Sequence, residues 1–251
     1  MKKLRQRDIS NTESLISYLK NPAGGLRSAY HYTTLESLYQ IFSNKTLRFS
    51  RMSKMNDVFE RELFCTNRDF FFCLSKSKEN ENENFGMWSM YGKLNENTSD
   101  KTDKIGIKIY FPKEVLKQIK EENESLLVHS VAYADLIDNY ENLKNFKVYI
   151  GSSSATIQNF DKDECSGFIK DTAWHYENEM RLRIPATAER ITDKTKDIKI
   201  SEEILEKLKV YPSPIYELSE VEKIFKRRCN GNNIHVNFCE NRYRNSLNLS
   251  K

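Results

Sequence analysis

Short apolar segments with the period of a β-strand recur along this chain, and they constrain its fold more than any other feature. Residues 46–50 and 105–111 alternate apolar with polar side chains, whereas residues 70–74 form a continuous apolar run. Because successive side chains of a strand point to opposite faces of a sheet, such segments predict strands with one or both faces buried. The other segments of this kind are residues 28–33, 126–134, 177–185, 197–200 and 234–238.

Helical patterns lie between the predicted strands. Residues 35–42 repeat apolar side chains with the period of a helix, and Thr33 and Glu36 have the spacing of a capping box. We therefore expect Thr33 to cap this helix. Further helices are expected over residues 112–124, from Ser201, over 217–229 with closure at Gly231, and in two pieces within 139–170 broken near Gly151.

The order of strands and helices predicts an α+β fold. The chain has 251 residues and no linker rich in proline, glycine or serine, so one domain is expected. That domain is expected to span residues 28–245, with residues 1–27 as an N-terminal extension.

Composition excludes several classes of protein. No apolar run reaches the roughly 18 residues of a membrane helix, and the N-terminus lacks the apolar core of a secretory signal, so a cytoplasmic location without membrane contact is expected. The five cysteines form no CxxC pair, which argues against a disulfide framework or a zinc site. The net charge is +4, and the basic clusters 226–228 and 242–244 are either a polyanion-binding end or a solvated surface.

Common nucleotide-binding and hydrolase motifs are missing. The sequence contains neither a GxxxxGK loop nor a GxGxxG turn, and it contains no HExxH or GxSxG. The four histidines are dispersed without the spacing of metal ligands, so no metal is expected.

Two glutamates form the main candidate for chemistry. Glu177 and Glu179 lie two residues apart in a predicted strand, and side chains at that spacing share one face. Carboxylates that close can shift each other's pKa and divide acid and base roles. The alternative is a solvated ladder in which the two glutamates pair with Arg181 and Arg183.

Other candidate residues have equally plain structural interpretations. His31 and Tyr32 can be ordinary residues at the end of a strand, and Ser50 lies near the end of another. Trp88 and Tyr91 are either core residues or rings that stack on a ligand.

In combination these segments carry a resemblance. The ordered set HYTT (31–34), LRFS (47–50), NDVFE (56–60), MWSMY (87–91) and WHYENEMR (174–181) resembles a bacterial family first described as a domain of unknown function, which includes AbiGi-like abortive-infection proteins. The resemblance covers roughly residues 28–240.

A more distant resemblance is to the ADP-ribosyltransferase superfamily. It implies a split mixed β-sheet with surrounding helices and NAD as a consumed co-substrate. The motif of that superfamily with two glutamates matches Glu177 and Glu179, and it implies that Glu179 is catalytic while Glu177 acts on the acceptor. The residues that it implies for NAD binding are His31, Tyr32, Thr33, Ser50, Arg51, Trp88 and Tyr91.

The resemblance implies a mono-ADP-ribosyltransferase toxin of anti-phage defence. Its acceptor would be a nucleic acid, RNA before DNA, or a protein, and a cognate antitoxin or chaperone could control it. One alternative is a non-enzymatic module that senses a nucleotide or a phage component. Another is a nuclease in which Asp57, Glu60 and Glu179 hold a metal ion.

Overall fold

The chain forms two compact units, and each is built from several segments. A computed structural model describes residues 8–20, 26–64, 66–79, 81, 83–91, 105–136, 145–150, 153–158, 160–161, 163–186 and 193–241. Unit 1 comprises residues 1–26, 48–73 and 123–197, and unit 2 comprises residues 27–47, 74–122 and 198–251. The chain passes from one unit to the other between residues 26 and 27, within three of its strands, and in the connection after its fifth helix.

The chain combines helices with largely antiparallel sheets, and a long run of strands follows its fifth helix, which confirms the α+β class. The helices are α1 (Thr12–Lys20), α2 (Leu35–Asn44), α3 (Val58–Leu63), α4 (Phe85–Tyr91), α5 (Lys113–Glu122), α6 (Glu202–Glu206) and α7 (Leu218–Cys229). The strands are β1 (Ala29–Thr34), β2 (Thr46–Arg51), β3 (Phe70–Lys76), β4 (Gly106–Phe111), β5 (Leu127–Ser130), β6 (Ala132–Ala134), β7 (Asn145–Ile150), β8 (Ser153–Gln158), β9 (Ile169–Asp171), β10 (Glu179–Ile184), β11 (Thr195–Lys199) and β12 (Lys209–Pro212). No helix among the described residues is long and apolar enough to cross a membrane.

Unit 1 contains the glutamate segment. Strand β10 pairs with β5 in antiparallel register, Arg181 opposite His129, and it also pairs with β3. A separate sheet has the order β8-β7-β6-β9, in which β6 and β9 run parallel with Tyr133 opposite Lys170. Strand β10 begins with Glu179 and strand β9 contains Lys170, and both strands belong to unit 1.

The N-terminal interval is part of the core of unit 1. Leu15 and Leu19 of α1 have no exposed surface, and they pack in a cluster with Phe64, Ala132 and Ile169. The described part of the interval 1–27, which the sequence analysis sets apart as an extension, thus contributes buried apolar surface to the fold.

Unit 2 is built on the sheet order β3-β1-β4-β12, which is antiparallel throughout. Every residue of β4 is buried. Helix α2 packs against α7, where the rings of Tyr39 and Phe225 lie 6.3 Å apart and Arg228 forms an ion pair with Glu36.

The secondary structure of the region 139–170 differs from the prediction. Its described residues form strands β7, β8 and β9 instead of two helices, and β7 and β8 form a hairpin with Ile150 opposite Ser153. The segment NFKVYI alternates apolar and charged or polar residues and is rich in β-branched and aromatic side chains, which is the pattern of a strand. The predicted strand at 234–238 is also wrong, because its only ladder contact among the described residues is a single bridge between Val210 and Phe238.

The cap of α2 differs by one residue from the prediction. Thr34 is the N-cap, and its hydroxyl accepts a hydrogen bond from the Ser37 amide at 3.2 Å. Strand β1 extends to Thr34, which pairs with Gly106, so the helix begins one residue later than the capping box implies. Glu36 instead accepts a hydrogen bond from Gln40.

Substitution of Gly167 in unit 1 tests how much a steric clash adds to the cost of backbone strain. Its φ is +83°, and an added Cβ would lie 2.7 Å from Cζ of the buried Phe71 ring. Gly231 in unit 2 has a similar φ of +86° with nothing within 4 Å of an added Cβ. Because both substitutions carry the backbone cost, Gly167→Ala is expected to lower the free energy of unfolding by about 1–3 kcal/mol more than Gly231→Ala. Urea denaturation measures the difference, and equal losses would contradict the packing argument.

Candidate active site

A buried network of charged side chains in unit 1 is centred on Arg181 of β10. The guanidinium has no exposed surface and lies between Glu60 of α3 and Glu179 of β10. Nη1 and Nη2 donate to the two oxygens of Glu60 at 2.6 and 3.0 Å. Nε and Nη2 donate to the two oxygens of Glu179 at 2.7 and 3.0 Å. Both contacts are therefore two-pronged, which is the strongest arrangement for an arginine and a carboxylate.

Lys170 of β9 joins Glu177 to this network. Its Nζ donates to Glu177 Oε2 at 2.6 Å and lies 3.7 Å from Glu179 Oε2. The Lys170 ammonium also lies 4.5 Å from the centre of the Trp174 ring. The two glutamates of the motif thus meet at one ammonium group.

Glu177 and Glu179 lie in two different backbone elements, and not in one strand as the sequence predicts. Glu177 is the last residue of a 3-10 turn, Thr172–Glu177, and β10 begins only at Glu179. Asn178 between them is left-handed, with a φ of 45°. The expectation that Glu177 and Glu179 share one face of a strand is therefore wrong. Of the alternative, a solvated ladder, only the ion pair of Glu179 with Arg181 forms, and it is buried instead of solvated. Arg183 pairs with Asp69.

The pKa values of the two glutamates move in opposite directions. Burial, together with the charge of Glu179, raises the pKa of Glu177 to about 7 despite the neighbouring Lys170. Burial also favours the neutral form of Glu179, but Arg181 and Lys170 outweigh it and lower that pKa to about 2. Burial alone would lower the pKa of Lys170, yet the surrounding carboxylates raise it above its ordinary value. Glu179 is thus a fixed anion, while Glu177 can exchange a proton near neutral pH.

Uncharged groups complete the network. The Glu179 amide donates to the hydroxyl of Tyr133 at 2.7 Å, which ties β10 to β6. His129 is buried beside Arg181, and its pKa falls to about 3, mainly through burial and secondly through that positive charge. Its ring lies 4.3 Å from that of Phe168. His129 is therefore neutral at physiological pH and adds no charge to the network.

The other predicted residues of unit 1 have structural partners. Ser50 is half-buried in β2 opposite Phe71. Arg51 is buried, its Nη1 donates to the Arg68 carbonyl at 2.9 Å, and its guanidinium lies 4.6 Å from the Phe70 ring. Arg51 is thus held by carbonyl and ring contacts.

The predicted residues of unit 2 are divided between two faces of one strand. Tyr32 contacts α4, where its ring lies 5.1 Å from that of Trp88 and 6.4 Å from that of Tyr91. His31, half-buried, and Thr33, buried, occupy alternate positions of β1 and so point to the opposite face. The structure therefore brings together Tyr32, Trp88 and Tyr91 and separates them from His31 and Thr33.

Sequence reasoning missed several residues of these sites. Lys170, Tyr133 and Lys108 are buried, but the sequence patterns do not identify them as candidate site residues. A usable signal is a lysine next to the apolar core of a strand, as in the segments FIKD and GIKIYF. Buried lysines are rare unless they are paired, so such a position points to an acidic partner.

The nuclease hypothesis requires carboxylates that can bind a metal ion. Asp57 instead caps α3 by accepting from the Glu60 amide at 3.1 Å, and Glu60 and Glu179 both bind Arg181. Within the described part of the chain, no group of three histidine, cysteine, aspartate or glutamate residues is placed to hold a metal ion.

Part of the chain is similar to a known family. Residues 87–182 match a family described as a protein of unknown function, DUF2971. This region begins within α4, ends within β10 and includes both glutamates of the network. No curated protein and no solved structure matches the chain significantly. The expected resemblance is confirmed only as a resemblance to a family of unknown function, and only over residues 87–182 instead of 28–240.

Proposed function

We propose that this protein is a mono-ADP-ribosyltransferase that consumes NAD. The observation that carries the proposal is the opposite displacement of the pKa values of Glu177 and Glu179 within one buried network. The distant sequence resemblance assigns a pair of glutamates at this spacing to the transfer reaction. A fixed anion beside a carboxylate that titrates near pH 7 supplies the two functions that the reaction needs.

Glu179 suits the step in which the glycosidic bond breaks. The bond between nicotinamide nitrogen and the ribose C1′ breaks, nicotinamide leaves with the electron pair, and positive charge develops on the ribose. A carboxylate that stays ionised and is held in place stabilises that charge without reorganising. The contacts with Arg181 keep Glu179 in one orientation.

Glu177 suits the step in which the acceptor attacks. A bond forms between an oxygen or nitrogen of the acceptor and the ribose C1′, and the acceptor's proton passes to the Glu177 carboxylate. A general base works best when its pKa lies near the operating pH, and about 7 meets that condition. Lys170 keeps this carboxylate next to Glu179.

The remaining assignments of the proposal come from the resemblance. Tyr32, Trp88 and Tyr91 form an aromatic group that suits stacking on nicotinamide or adenine. His31, Thr33, Ser50 and Arg51 remain predicted NAD contacts. The acceptor is a nucleic acid, RNA before DNA, or a protein, and the setting is anti-phage defence in the cytoplasm.

The proposal is tested by incubating the full chain with NAD labelled in its adenylate part and with a cell extract. We expect release of nicotinamide and transfer of label to a macromolecule, and separate RNA, DNA and protein fractions identify the acceptor. Binding of NAD without release would favour the sensor module instead. Cleavage of nucleic acid that depends on a divalent ion would favour the nuclease.

The same assay run from about pH 5 to about pH 9 tests the assignment of Glu177. Because the ionised form is the base, the rate of transfer should rise as the pH increases through about 7. Glu177→Gln should lower transfer about 100-fold and remove this inflection. Glutamine resembles the protonated form, so the variant should remain folded. An unchanged inflection in Glu177→Gln would show that another group titrates.

A further inference from the structure

A second buried charge, Lys108, lies in unit 2 and is not among the residues to which the proposed reaction assigns a role. Lys108 of β4 is opposite both Tyr32 of β1 and Tyr211 of β12, and its side chain is only 5% exposed. Its Nζ lies 4.6 Å from the ring centre of Tyr30, 5.3 Å from that of Tyr211 and 5.8 Å from that of Trp88. We call Tyr30, Tyr32, Trp88, Lys108, Lys209 and Tyr211 the Lys108 cluster.

Two glutamates from one polar segment form ion pairs with the two lysines of this cluster. Glu83 Oε1 accepts from Lys108 Nζ at 2.6 Å, and its Oε2 accepts from Trp88 Nε1 at 2.8 Å. Glu79 Oε1 accepts from Lys209 Nζ at 2.6 Å and from the Tyr211 hydroxyl at 3.0 Å. Both glutamates belong to the connection between β3 and α4, in the sequence SKENENEN at 77–84.

The burial of the Glu83 side chain is unusual for a residue of such a polar segment, whereas the Glu79 side chain is 28% exposed. A tract of lysine, glutamate and asparagine ordinarily remains in water, and the sequence predicts a surface loop here. Glu83 is instead 6% exposed, and moving an ion pair out of water costs several kcal/mol per ion before the attraction offsets it. Burial lowers the pKa of Lys108 although Glu83 opposes the change. Apolar residues of similar volume often replace a buried ion pair without loss of stability, so stability alone does not account for these charges.

We propose that the Lys108 cluster binds a nucleoside phosphate, and that Glu83 and Glu79 occupy its two lysines while that ligand is absent. The aromatic rings are buried against one another in this arrangement. Departure of the glutamates would open a ring face on which a base stacks, and the ammonium groups would attract phosphate oxygens. Lys108 and Lys209 are diagonal neighbours on adjacent strands, with Cα atoms about 7–8 Å apart, which suits two linked phosphates. The inference rests on the proposed function in taking NAD as the ligand.

Glu83 and Glu79 act in this arrangement as competitors inside the same chain. An incoming phosphate must replace the carboxylate of Glu83 on Lys108, so the affinity that is measured is lower than that of the vacated cluster. Removing the competing charge should therefore raise affinity, while a residue that only stabilises the fold would not have this effect. The direction of the change in affinity therefore distinguishes a Glu83 that competes with the ligand from a Glu83 that only stabilises the fold.

Calorimetric titration of the full chain with NAD, ADP-ribose and inorganic pyrophosphate tests the inference. Glu83→Gln is expected to tighten binding of NAD and ADP-ribose about 10-fold or more, and Lys108→Met to weaken it by a similar factor. Pyrophosphate, which has no base to stack, should bind more weakly than ADP-ribose. The matched control is Glu81→Gln, because Glu81 lies in the same segment but is bound to the Lys78 amide and the Ser77 hydroxyl.

Several results would overturn the inference. Affinity in Glu83→Gln that is equal to or below that of Glu81→Gln would do so, as would failure of both variants to bind. If Lys108→Met does not fold, the comparison of Glu83→Gln with Glu81→Gln still tests the inference. Nicotinamide release that continues while neither substitution changes binding would refute this inference and leave the proposed function standing. Tighter binding in Glu83→Gln without any release would refute the proposed function alone.

Discussion

Replacing Arg181 with methionine is expected to lower the free energy of unfolding by roughly 3–5 kcal/mol. The Arg181 side chain has no exposed surface and donates to both oxygens of Glu60 and of Glu179. Methionine fills much of the same volume but leaves these two carboxylates buried without the cation between them. Urea denaturation followed by circular dichroism measures the loss.

Arg48→Met is the matched control for this prediction. Arg48 also forms a two-pronged contact with a carboxylate, at 2.9 and 3.0 Å from Asp197, but the side chains are 59% and 37% exposed. Solvent screens such a pair, so its loss should cost less than about 1 kcal/mol. If Arg181→Met costs no more than Arg48→Met, the buried network is not what stabilises unit 1.

Glu179→Gln is expected to reduce nicotinamide release about 100- to 1,000-fold, which is the usual effect of removing one fixed electrostatic contact with a transition state. Glutamine keeps the shape of the side chain and removes the charge that faces the ribose in the proposed reaction. The measurement is release of nicotinamide under conditions where circular dichroism shows the variant to be folded.

Glu60→Gln separates catalysis from structure. Glu60 holds the same guanidinium by two hydrogen bonds, at 2.6 and 3.0 Å, and it is equally buried, but it lies outside the pair assigned to catalysis. Both substitutions remove one negative charge from Arg181. We expect release to fall far more in Glu179→Gln than in Glu60→Gln, and equal losses would mean that Glu179 serves only to hold Arg181.

Much of the secondary structure could be predicted from local patterns. Helix α2, strand β2 and strand β4 lie within about two residues of their predicted bounds, because each carries a clear period of apolar residues. The error in residues 139–170 came from treating polar interruptions as helix breaks, when they mark the ends of the strands β7 and β8. The one-residue error at Thr33 arose because pairing of Thr34 with Gly106 extends β1.

The candidate site could be predicted only in part. The pair of Glu179 with Arg181 follows from their spacing in one strand, since side chains two residues apart share a face. Lys170, Glu60 and Tyr133 come from three other elements, and local spacing contains no information about which elements meet at β10. The pattern also placed Glu177 on the strand, whereas the left-handed Asn178 ends the preceding turn and sets the direction of that carboxylate.

The sequence by itself determined the α+β class, most strand positions and the presence of two neighbouring glutamates, because these depend on residues close together along the chain. The tertiary structure decided the environment of each charge. Burial and the neighbouring cations give Glu177 a pKa of about 7 and Glu179 one of about 2, although the two are the same kind of residue. It also placed Lys108 among aromatic rings with Glu83, a residue from a segment that looks fully solvated. The desolvation and Coulomb energies that set these properties depend on distances between elements far apart in sequence, and local periodicity does not encode those distances.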